Sequence, residues 1–165
     1  MITRALLFAA AFGTLQLAWQ SVAGTSVGHA VIDGGIVAPA ALIGQILTPH
    51  LGVHAVGHQL RGPAGGINIV NGCDGTETLF LLVAGFLVAP LPWGSRLKGI
   101  AAGVPLVYVL SLVRILALFY AHQTDLGLFD LLHGIVTPVL MVLSIAVFYY
   151  FWLRRGGGPA LGAPP

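Results

Sequence analysis

The chain has 165 residues, 57% of them hydrophobic and 7% charged, and its mean hydropathy is +0.94. Soluble domains carry about a quarter charged residues, so this composition excludes an ordinary water-soluble globule and makes a lipid bilayer the natural solvent. A scattered net charge of +2 excludes a nucleic-acid surface, and the single cysteine, Cys73, excludes an internal disulfide.

Four apolar stretches predict membrane-spanning helices: Ala5 to Val22, Leu79 to Trp93, Gly99 to Tyr120 and Leu131 to Leu153. A crossing needs roughly 20 apolar residues. The second stretch is shorter, but Thr76 and Glu77 can begin its helix early. The first is interrupted by Gln16 and Gln20. It also resembles a signal peptide, with Arg4, an apolar run from Leu6 to Phe12 and the small-residue pattern Ser21-Val22-Ala23. A retained helix fits its length better, and either case leaves residue 24 onward outside the cytoplasm. Arg4, Arg96, Lys98, Arg154 and Arg155 then lie inside, as the positive-inside rule requires, with Arg61, Asp33, Asp74, Glu77, Asp125 and Asp130 outside. The expected fold is all-α, a polytopic bundle of about four transmembrane helices.

Residues 24–72 read as one external segment rich in Gly, His and Ala. Ala40 to Leu47, following Pro39, reads as a short amphipathic helix on the membrane surface. Gly62, Pro63, Gly65 and Gly66 mark a turn, and Ile67 to Val70 alternates like a strand leading into Asn71-Gly72-Cys73. His50, His54 and His58 are spaced by four, a spacing that can bind zinc on a helix. Pro49, Gly52 and Gly57 argue against that helix, and Asp33 and His29 offer no tighter geometry. A polar stripe is the better reading, with no metal and no cofactor expected. The Gly/Pro-rich tail, 156–165, has too few anchoring groups to fold. One integral membrane domain is therefore expected over 1–155, with its core at 71–155.

Cys73 precedes Asp74 and Glu77, an N-cap pattern ahead of an apolar run. A helix N-terminus favours a thiolate, the two carboxylates oppose it, and a cation must be brought in. The plain alternative is a small buried hydrophobe. Gly72 and Gly75 weaken that alternative, because they let another backbone approach the sulfur. Arg114 lies six residues before Tyr120, about 9 Å below the outer end of its helix. Its side chain tilts toward the helix N-terminus, away from the outer surface, so a polar cavity is expected rather than snorkelling. His133 is two residues into the last span and tilts outward, with Asp130 placed one turn earlier to hold its ring. His122 is a rival base. A nucleophile, a base and an electrophilic stabiliser together equip a site for acyl transfer through a thioester. The alternative is a non-enzymatic membrane scaffold or partner subunit in which Arg114 pairs with Asp125 or Asp130.

From Asn71 to Arg155 the chain resembles the exosortase/archaeosortase family, membrane cysteine enzymes of the transpeptidase type. The resemblance rests on NGCDGTE around Cys73, SLVRILALFY around Arg114 and LFDLLHG around His133, in that order on successive helices. It implies Cys73, Arg114 and His133 as the active set. It also implies, as partners, exported proteins with a C-terminal sorting tail: a short motif, a transmembrane helix and a basic cluster. Such a tail would be cut at the outer face of the cytoplasmic membrane. Asn71, Ser111 and Asp130 are expected to support the set. The family usually shows Asn three residues before the arginine; Ser111 stands there and has a shorter reach. The chain looks like one of the short variants.

Overall fold

The computed structural model describes residues 2–69 and 74–156; Asn71, Cys73 and the expected tail from residue 157 onward lie outside the described residues. Helix α1 runs over Ile2–Ala23 and α2 over Ser26–Leu47. Three short strands follow, β1 His54–Val56, β2 Gln59–Gly62 and β3 Gly65–Asn68, paired antiparallel in the order β1-β2-β3. Then come α3 Thr76–Val88, α4 Trp93–Thr124 and α5 Leu126–Arg155.

The fold is all-α in its membrane part, as expected. Four helices, α1, α2, α4 and α5, are long and apolar enough to cross a membrane. Their membership differs from the expected four in two places. The expected second span, Leu79 to Trp93, is the 13-residue α3, because Pro90 and Pro92 end the helix early. The expected surface helix Ala40 to Leu47 is only the second half of α2, which begins at Ser26.

Asp33, Gly34, Gly35 and Pro39 are all poor residues for a helix interior. A wide π-helical turn over Asp33–Val37 absorbs them. Pro39 has no N–H for the carbonyl of Gly35, and the Tyr108 hydroxyl donates to that oxygen instead at 2.8 Å. The expected strand from Ile67 to Val70 is β3, shifted toward the Gly65 turn.

Helices α1, α3, α4 and α5 alternate in direction. Arg4 and Leu7 sit by Val88 and Arg96, while Gln16 Nε2 donates to Glu77 at 3.2 Å, so α1 is antiparallel to α3. Gly99 and Gly103 take the side chains of Phe86 and Leu82, and Trp152 Nε1 donates to Ser95 O at 3.1 Å. Arg4, Arg96, Lys98, Arg154 and Arg155 consequently share one end. Helix α4 has 32 residues, about 48 Å at 1.5 Å each, and outruns the 13-residue α3 at the other end. There α2 and the small sheet cover it, burying Val37, Ala40, Leu60 and Ile69 against Ile115 and Phe119. Thr48 Oγ1 and Tyr120 Oη, 3.0 Å apart, pin the end of α2 to the same region.

Candidate functional site

The described chain resumes at Asp74, the residue after Cys73. Asp74 is 2% exposed, and its Oδ1 accepts from Thr76 N at 3.3 Å and Thr76 Oγ1 at 3.0 Å. Gly75 has φ +86°, the left-handed region, and a Cβ there would overlap Ser111 Oγ. Both features demand glycine. The Ser111 hydroxyl donates to Val107 O at 2.9 Å within its own helix, so its small size is what admits Gly75. Gly75→Ala is expected to cost at least about 2 kcal/mol and to lower the thermal unfolding midpoint in detergent. An unchanged midpoint would show that α3 does not start as described.

Arg114 stands one turn beyond Ser111 on the same helix and is buried, at 8% exposure. An arginine inside an apolar bundle is costly, which makes Arg114 a candidate site residue. The start of α3 and the arginine turn of α4 are thereby brought together. Met141 of α5 also borders Gly75, its Cε 3.7 Å from the position of an added Cβ. His133 lies about two turns further along α5 toward the same end.

His133 sits in a second π-helical turn, Leu132–Val136, whose Leu132 carbonyl accepts from Thr137 Oγ1 at 2.9 Å. Wide turns of this kind gather at functional sites because they re-aim a side chain. The His133 ring stacks on Phe129, centroids 5.5 Å apart and planes within 5°. His122, the rival base, meets the same Phe129 edge-on at 5.5 Å, and its buried Nδ1 has no hydrogen-bond partner among the described residues. Asp130, one turn before His133, is exposed. Phe129 is one neighbour of the imidazole. Asp125 caps its own helix, with Oδ1 accepting from Gly127 N at 2.7 Å and Leu128 N at 3.4 Å.

Sequence reasoning missed one pair. Asp33 Oδ1 and His58 Nδ1 are 2.5 Å apart, and the His29 ring lies 4.4 Å from that of His58. The partners are 25 residues apart, and no local pattern joins them. His50, His54 and His58 do not share a helix face: they occupy a 3-10 turn, β1 and the turn after it. Among the described residues no group of three or more His, Cys, Asp or Glu is arranged to hold a metal.

No curated protein and no solved structure matches the chain. The family model described as transmembrane exosortase (Exosortase_EpsH) does match, over residues 3–150. That stretch takes in nearly the whole helical bundle, together with Cys73, Arg114 and His133. The chain therefore belongs to the transmembrane exosortase family.

Proposed function

We propose that this exosortase-family protein is a membrane-embedded cysteine transpeptidase or peptidase. It would cut the C-terminal sorting tail of exported proteins at the outer face of the cytoplasmic membrane. The observation that carries the reading is the seating of Gly75 on Ser111. It sets the start of α3, next in sequence to Cys73, one turn from the buried Arg114.

The basic end of the bundle belongs in the cytoplasm by the positive-inside rule. From Lys98 to Arg114 is 16 residues, about 24 Å of helix, against a hydrocarbon core of about 30 Å. The site then lies slightly below the outer interface. A short α3 is what recesses it. A substrate with its own tail helix would be confined beside α3, α4 and α5, with its scissile bond held at that depth, which raises the effective concentration of the bond at the thiol.

In this mechanism Cys73 Sγ attacks the carbonyl carbon and Arg114 donates to the developing oxyanion. His133 takes the thiol proton of Cys73 and passes it to the leaving amine as the C–N bond breaks. The thioester is then resolved by an amine, giving transfer, or by water, giving hydrolysis, with the thiol regenerated. His133→Ala is expected to slow processing by at least about 100-fold and His122→Ala by less than about threefold, measured as initial rates of tail loss. Equal losses would reassign the base.

The test is co-expression with a secreted reporter carrying a motif-helix-basic tail, followed by immunoblot. A size shift that needs Cys73 supports tail processing. A shift that persists in Cys73→Ala, or none with several tails despite verified membrane insertion of both proteins, would refute it.

A further inference from the structure

A cleft of about 120 Å³ opens at the head of α3, walled by Ile36, Leu79, Val104, Val107 and Tyr108, with Asp74 among its lining residues. An apolar cavity of about 150 Å³ stays dry and accepts a benzene ring, so this one suits a side chain of leucine size or smaller. Water gains few hydrogen bonds in such a space, and an apolar group displaces it favourably. Among the polar residues of the lining, Ser111, Thr76 and Tyr108 have hydrogen-bond partners for their hydroxyls, and Asp74 is the exception. One of its oxygens is occupied by Thr76, while Oδ2 is buried and has no hydrogen-bond partner among the described residues. A buried acceptor left without a donor is costly, and an incoming donor recovers that cost.

One ligand class supplies both requirements in a fixed relation, namely a peptide residue with an apolar side chain and a backbone N–H. We propose that this cleft is a specificity subsite for one apolar residue of the substrate, whose N–H is donated to Asp74 Oδ2. The assignment rests on Cys73 being the nucleophile, because Asp74 follows it directly. Ile36 comes from α2, so the helix that the sequence placed in an external segment forms part of the substrate site. Val104 is 43% exposed and forms the rim, where a larger side chain narrows the cleft without entering the core.

The experiment uses the full-length protein in detergent and short peptide chloromethyl ketones. The thiolate displaces chloride to form a thioether, and Cys73 is the only cysteine that can be labelled. Labelling rates are read by intact mass, with iodoacetamide as a probe that needs no subsite. A probe with leucine next to the ketone is expected to react at least roughly tenfold faster than one with lysine. Val104→Phe should remove that preference and leave the iodoacetamide rate unchanged. N-methylation of the leucine amide should slow labelling of the wild type but not of Asp74→Ala.

Equal rates for leucine and lysine probes, with iodoacetamide still labelling, would overturn the subsite alone. No labelling by any reagent would overturn the nucleophile and the subsite with it.

Discussion

Cys73→Ala is expected to leave the substrate tail uncut, with processing down by at least roughly 10⁴-fold. Removing the attacking atom of a covalent mechanism leaves only the residual help of oriented binding and oxyanion stabilisation. Cys73→Ser should remain almost as poor, since a hydroxyl is a weak nucleophile unless a base activates it. Both changes leave the apolar runs that direct insertion untouched, so both variants should reach the membrane at wild-type levels. In a scaffold the same substitutions would be silent. Initial rates of tail loss, normalised to membrane-inserted protein, separate the two.

Arg114→Lys is expected to lower the rate of processing by about 10²- to 10³-fold, the usual cost of losing one oxyanion donor. Lysine keeps the positive charge and most of the apolar stem, so the position buried at 8% exposure remains filled. What it lacks is the planar fork that presents two N–H groups in fixed geometry. The loss should therefore fall on turnover rather than on substrate binding or assembly. Full activity in Arg114→Lys would remove the bidentate role from the mechanism. A loss explained by unfolding would show as a shifted elution profile in detergent.

Much of this architecture is legible in the chain because long apolar runs need no distant partner to be recognised. Helices α4 and α5 follow from their uninterrupted Leu, Val, Ile and Phe, and the basic end follows from Arg96, Lys98, Arg154 and Arg155. Helix α2 was hidden for a physical reason. Its helix-breaking residues are compensated by groups remote in sequence: His58 for Asp33 and the Tyr108 hydroxyl for the carbonyl of Gly35. Strands β1 and β2 are three and four residues long, too short for a period-2 pattern to show, whereas the alternation at Ile67 marked β3. Candidate site residues were visible as chemistry that is expensive in lipid. Their neighbours were not, since the stacking of His133 on Phe129 and the fit of Gly75 on Ser111 arise only when helices meet.

The most direct measurement is mass spectrometry of the enzyme quenched in acid during turnover of a tailed substrate. A substrate-derived acyl group is expected on the peptide containing Cys73, released by hydroxylamine and absent in Cys73→Ala. Tail cleavage with no adduct at Cys73, persisting in Cys73→Ala, would contradict thioester chemistry and the central claim with it.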